Sequence, residues 1–252
     1  MPSETTTPAL LHQPDWPLPP GAGAAYSDRR GGVSEGPYAS LNLGVNSGDA
    51  PDAVAENRRR VTAALPAAPL WLRQVHGTDL VYAPSAGPDP EADASWTDQP
   101  GQVLAIQTAD CLPVLLADGR GCWVAAIHAG WRGLAAGIIG LTLSRLPGPV
   151  QETHAWLGPA IGARHYPVGA DVYQAFIDAG ENGDSAFTAL GNRRYQLDLH
   201  AMARQQLNRL GITSISAEPL CTYALPQRFY SYRRDGCCGR QAAFIWLQEK
   251  NK

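Results

Sequence analysis

Residues 103–128 read VLAIQTADCLPVLLADGRGCWVAAIH, and this stretch decides the fold. It holds three short runs rich in Val, Ile and Leu: Val103–Gln107, Leu112–Leu116 and Trp123–Ile127. Gly, Asp or Pro bounds each run, so all three are expected to be buried strands. Downstream, Leu134, Ile138, Leu141 and the Ser144-Arg145-Leu146 turn predict a helix ended by Pro147-Gly148. Ala155–Leu157 reads as a further strand. Val172, Phe176 and Ile177 have helical spacing, with Asp171 as N-cap. The clearest helix follows Asp198, where Leu199, Met202, Ala203, Leu207 and Leu210 form one apolar face and Gly211 is the stop. Ile212–Ile215, Phe229–Tyr232 and Ala242–Leu247 complete the downstream strands. Upstream, Trp71–Val75 and Leu80–Ala83 flank Gly77-Thr78-Asp79, which predicts two strands joined by a turn. Strands therefore dominate the interior and about three helices cover them, a mixed α and β class.

Composition narrows the rest. At 252 residues the chain is at the upper end of what one core supports, roughly 50–250 residues. The segment Pro84–Ala94 reads as a surface loop rather than a boundary, which favours one domain. Residues 1–20 are rich in Pro and Thr, and 1–15 are expected to be a flexible lead-in to a single domain over 16–252. A net charge of -3 argues against nucleic acid, whose partners usually carry a basic surplus. Five cysteines without a regular framework suit free thiols, a metal ligand or a nucleophile better than a secreted disulfide scaffold. The N-terminus lacks a cationic start and an apolar core of signal-peptide length. The apolar stretch Cys122–Leu143 contains His128, Arg132 and four glycines, which disfavours a membrane span. A cytoplasmic protein without membrane or nucleic-acid partners, and a monomer, is expected.

Three residues at the ends of β-runs could meet at one rim of a sheet. His76 stands in QVHGTD, Cys111 in QTADCLP and His128 in AAIHAGWRG. Two imidazoles and a thiolate suit Zn²⁺ and leave a fourth position open for water or substrate. Spacings of 35 and 17 residues match no short zinc motif. A histidine at a strand end is more often a hydrogen-bonded structural residue, and a lone cysteine is usually a small hydrophobe. A metal-free pair, with His76 or His128 activating Cys111, stays open on this evidence. The run Arg58-Arg59-Arg60 reads first as a solvated helix face, whereas Arg233-Arg234 in SYRRDG has the aromatic and acidic neighbours of a packed loop.

The words SDRRGGVSEGPYASLNLGVNSGD, ENRRRV, WLRQVHGTDLV, EADASWTD, TADCLPVLLAD, AAIHAGWRGLAAGI, WLGPAIG, CTYA, SYRRDG and GRQAAFIWL occur in this order. Together they resemble the laccase-domain family over about residues 16–248. Its members have been called polyphenol oxidases and are better described as purine nucleoside phosphorylases. The resemblance implies a single α+β domain, with layered mixed β-sheets flanked by helices in an α/β/β/α-like sandwich. It implies zinc at His76, Cys111 and His128, the residues already singled out at strand ends. It further implies a nucleoside and phosphate pocket lined partly by Ser40, Asn42, Asn57 and Arg58. Cys238 departs from the pattern, since many relatives have Thr before this Gly-Arg.

The expected reaction is phosphorolysis of adenosine, inosine or guanosine to free base and ribose-1-phosphate. Arg58 and Arg233 would clamp phosphate, Ser40 and Asn42 would orient the nucleoside, and Asp110 would carry a proton or orient its neighbour Cys111. Zinc would position substrate or activate a water, and the second role would account for adenosine deamination as a side activity. One rival is a copper polyphenol oxidase, disfavoured by six histidines and no repeated His-x-His. The others are a cysteine or zinc hydrolase that edits a cell-wall precursor, and a module that only senses nucleosides.

Overall fold

A computed structural model of the chain describes residues 10–181 and 185–249. Its strands are β1 (Ala22–Tyr26), β2 (Pro69–Leu70), β3 (Leu80–Tyr82), β4 (Ala94–Thr97), β5 (Val103–Thr108), β6 (Leu112–Asp118) and β7 (Val124–Ala129). They continue with β8 (Thr153–Leu157), β9 (Pro167–Gly169), β10 (Phe187–Gly191), β11 (Arg194–Leu197), β12 (Ser214–Ala217) and β13 (Gln241–Leu247). The helices are α1 (Pro51–Ala63), α2 (Trp131–Ala135), α3 (Ile138–Leu143), α4 (Ala170–Asp178), α5 (Leu199–Arg209) and α6 (Tyr232–Asp235).

Two mixed sheets lie face to face. One has the order β1-β13-β5-β2 and the other β12-β8-β6-β7-β4-β3; β10-β11-β9 form a small third sheet. The period of two along each strand sorts the core into three layers. On β5, Leu104 and Ile106 face the six-stranded sheet, where they join Leu115, Ala117, Val124, Ala126 and Trp156. The alternate residues Val103 and Ala105 face the other way, with Leu41, Leu43, Phe244 and Val61 of α1. On β6, Leu112, Val114 and Leu116 face outward, into a cluster with Leu134, Ile138, Phe176, Met202 and Leu207 of α2 to α5. The layers are therefore helix, sheet, sheet, helix, as expected. Because β5, β6 and β7 are covered on both faces, their sequences read as continuous apolar runs.

Other expectations need correction. Trp71–Val75 is not a strand: its pairing is an isolated bridge at Arg73, and β3 runs parallel to β4. The N–H groups of Val75, His76 and Gly77 turn instead onto the Asp93 carboxylate, at 3.1, 3.0 and 2.7 Å. Phe229–Tyr232 is not a strand either. The Gln241 side chain accepts from Tyr230 N–H and donates to its carbonyl, which takes the place of a neighbouring strand. The helix expected after Leu134 is two short helices, because Gly137 between them is left-handed at φ 78°. The N-cap of α4 is Gly169, and Asp171 sits in the first turn. Among the described residues there are six α-helices rather than three, the longest addition being α1, which starts at Pro51. His12, expected in a mobile terminus, exchanges backbone hydrogen bonds with Tyr26 and its ring meets Asp28 at 2.9 Å. No described helix is long and apolar enough to cross a membrane. All five cysteines are free thiols.

Candidate active site and metal centre

The antiparallel pairing of β6 with β7 sets His128 opposite Pro113, and Cys111 directly precedes β6. These two positions therefore share one end of the six-stranded sheet. His76 arrives from the loop before β3, in a left-handed conformation at φ 63°. The donor atoms of His76, Cys111 and His128 all lie within 4.8 Å of one another. Cys111 Sγ is 3.8 Å from His76 Nε2. Gly130 permits this closeness, because a Cβ there would stand 3.0 Å from Cys111 Sγ and 3.1 Å from His76 Cδ2.

Asp93, fully buried, organises the group and was not singled out from sequence. Besides the three N–H groups of residues 75–77, it accepts His128 Nδ1–H at 2.7 Å, while its carbonyl accepts the His128 amide at 2.7 Å. That bond leaves the Nε2 lone pair of His128 free to ligate, the usual arrangement of a carboxylate behind a metal-binding histidine. Burial opposes charge on Asp93, but the His128 ring and the backbone donors outweigh it and hold the carboxyl below its ordinary value. Burial also opposes a thiolate at Cys111, yet the charge and hydrogen bond of His128 and those of His76 draw its pKa down. The His128 imidazole is pushed up for the converse reason, by the sulfur and by Asp93 against its own burial. A thiolate and two imidazoles with converging lone pairs fit a divalent metal. Among the described residues this is the one such cluster of His, Cys, Asp or Glu.

The cluster lies in the wall of a cavity of about 550 Å³. Asp110 and Arg233 also line it, so the site brings together five of the nine expected residues. Asp110, left-handed at φ 93°, accepts from Thr222 Oγ1 at 2.6 Å, Ser231 Oγ at 3.0 Å and Arg233 N at 2.7 Å. Its carboxylate thus ties the SYRRDG segment to the residue beside Cys111. Arg233 reaches back to the Pro167 carbonyl at 2.7 Å and lies over Tyr166.

Ser40, Asn42, Asn57 and Arg58 do not line the cavity. Asn57, fully buried, accepts from Val33 N and donates to Ser34 Oγ and the carbonyls of Ser40 and Asn42. Asn42 donates to Ser47 Oγ and Asp49 and accepts from the N–H groups of Gly44 and Arg240. Ser40 Oγ donates to the Arg29 carbonyl. Arg58 donates to the Leu43 carbonyl at 2.9 Å and stacks 4.1 Å over Trp71; burial lowers its pKa to about 10. These side chains are spent on the protein, and what they fix is the wall: Gly44, Ser47 and Arg240 face the cavity.

Residues missed from sequence include Arg132, Tyr166 and Tyr232, all of which line the cavity. Arg132 follows the HAGW word and lies 4.4 Å over Trp131; among the described residues it has no hydrogen-bond or ion-pair partner. Burial, and then the negative charge of Cys111, raise the Tyr166 phenol above its ordinary value, so it stays a donor at neutral pH.

A family model described as multi-copper polyphenol oxidoreductase laccase matches residues 23–248. The chain belongs to this family. Among its laccase-family relatives, a Shigella flexneri protein named purine nucleoside phosphorylase YfiH is 49% identical over 239 residues, covering 93% of this chain and 97% of its own. A Xylella fastidiosa protein named purine nucleoside phosphorylase is 44% identical over 247 residues, covering 92% of this chain and 95% of its own. A Neisseria meningitidis crystal structure superposes with TM-score 0.92 at 42% identity, covering 95% of this chain and all of the other. The structure of YlmD from Geobacillus stearothermophilus gives 0.85 at 31% identity, with 96% and 100% covered.

Proposed function

We propose that this laccase-family chain is a zinc-dependent purine nucleoside phosphorylase with adenosine, inosine and guanosine as substrates. The observation that carries the reading is a His76–Cys111–His128 cluster in the wall of a cavity that also presents Arg132 and Arg233. The names of the relatives in Shigella and Xylella support the same chemistry.

His76, Cys111 and His128 would hold the ion, and Asp93 would keep His128 in its ligating tautomer. A bound zinc supplies Lewis acidity toward a substrate oxygen or an activated water, the second being the source of adenosine deamination. The remaining work belongs to side chains. Phosphorolysis needs an anion held against a ribose carbon that becomes positive, away from water. Arg132, whose guanidinium has no hydrogen-bond or ion-pair partner among the described residues, would bind phosphate together with Arg233. Tyr166 would donate its phenolic proton as a hydrogen bond to the same anion. Asp110, with three donors already on its carboxylate, would position Arg233 rather than carry a proton. Ser40, Asn42, Asn57 and Arg58 would act through the wall they brace. Tyr232, 61% exposed, offers its ring face to the purine at the rim. Substrate and phosphate are the partners of this reading, in a cytoplasmic monomer folded as one domain over 16–252.

The copper oxidase reading would need further ligands, and the described residues offer one three-residue cluster and no other. Supplying inosine with and without phosphate, and following hypoxanthine, tests the proposal. Release that requires phosphate supports it, and release that ignores phosphate points to a hydrolase instead.

A further inference from the structure

Outside the cavity, a second sulfur faces a second imidazole. Cys221 Sγ lies 3.5 Å from His165 Nδ1. The Gly162 N–H donates to the same sulfur at 3.2 Å. The His165 ring stacks on Tyr223, at 4.7 Å between centroids and 16° between planes. The backbone around the sulfur is pinned as well, since Ala160 and Cys221 bridge and the Thr222 amide donates to the Ala160 carbonyl at 3.0 Å. Neither Cys221 nor His165 lines the cavity, and both are half-buried, within reach of a small solute. The arrangement has the parts of an activated thiol: a base in contact with the sulfur, a donor for negative charge developing on it, and a neighbouring ring that stacks on the base.

We infer that Cys221 and His165 form a peroxide-reactive thiol site, distinct from the metal centre. His165 Nδ1 takes the thiol proton as the sulfur attacks one oxygen of a hydroperoxide. The S–O bond forms and the O–O bond breaks. The leaving oxygen takes the proton back from His165, so a thiol and hydrogen peroxide become a sulfenic acid and water. The site stands behind the catalytic wall, because the next residue, Thr222, donates to Asp110 at 2.6 Å. The thiol chemistry is independent of phosphorolysis.

Cys122 is the internal reference, an exposed thiol 4.0 Å from the Arg120 carbonyl. The full-length zinc-loaded protein is treated with hydrogen peroxide, trapped with a sulfenic-acid reagent and read residue by residue by mass spectrometry. Cys221 is expected to label at least ~100-fold faster than Cys122, the lower end of what a positioned base contributes. His165→Phe keeps a ring for Tyr223 and removes the nitrogen; His165→Asn removes the ring. Both are expected to close the gap. Labelling of Cys221 no faster than Cys122 overturns the proposal, as does a gap that survives in either folded variant.

Discussion

Gly130 and Asp93 show how much of the centre rests on residues that ligate nothing. A methyl group at Gly130 would press on both Cys111 and His76. Gly130→Ala is therefore expected to fold and to lose stoichiometric zinc, measured by elemental analysis of the purified variant. Asp93→Asn keeps the shape but gives up the negative acceptor that four donors share. Its zinc affinity is expected to fall by about 10–100-fold in a competition titration with a chelator. An unchanged affinity would remove Asp93 from the account. The clustering of His76, Cys111 and His128 was legible, because a histidine or cysteine just beyond an apolar run lands at a sheet end. Asp93 was not, since its contacts 16 to 18 residues upstream leave no periodic signature. Asn42 and Asn57 do not line the cavity, and their polar groups are hydrogen-bonded inside the fold.

The continuous apolar runs all proved to be strands, whereas two shorter runs that carry polar residues did not. β5, β6 and β7 were each found near their expected bounds because burial on both faces demands an unbroken run. Residues 71–75 and 229–232 have strand-like composition, but side chains of Asp93 and Gln241 capture the backbone groups a strand would need. The helix α5 was the clearest expectation, and Asp198, which it follows, is its N-cap, accepting the Ala201 amide at 3.0 Å. Asp198→Ala is expected to lower unfolding stability by about 1 kcal/mol, with an unchanged denaturant slope. A change below experimental error would mean that the cap adds nothing beyond packing.

Across the whole molecule, α5 also ties the outer helical layer to the end of β8, through His200 Nε2–H donating to the Gly158 carbonyl at 2.9 Å. Burial lowers the His200 pKa below its ordinary value. The unfolded chain therefore takes up a proton near pH ~6.5 that the folded chain takes up only at lower pH. This contribution is present in full above that value and declines as the pH falls below it. The denaturation midpoint is expected to drop between about pH 7.5 and 5.5, and more steeply than in His200→Gln. Parallel pH profiles would show that the ring titrates alike in both states.

In the proposed function, His76, Cys111 and His128 hold one zinc ion that phosphorolysis requires. The most direct measurement pairs zinc analysis with phosphate-dependent hypoxanthine release from inosine, on the wild type and on Cys111→Ala. One zinc per chain with phosphate-dependent turnover, both lost in the folded variant, is the expected result. Full turnover from Cys111→Ala without metal would contradict it.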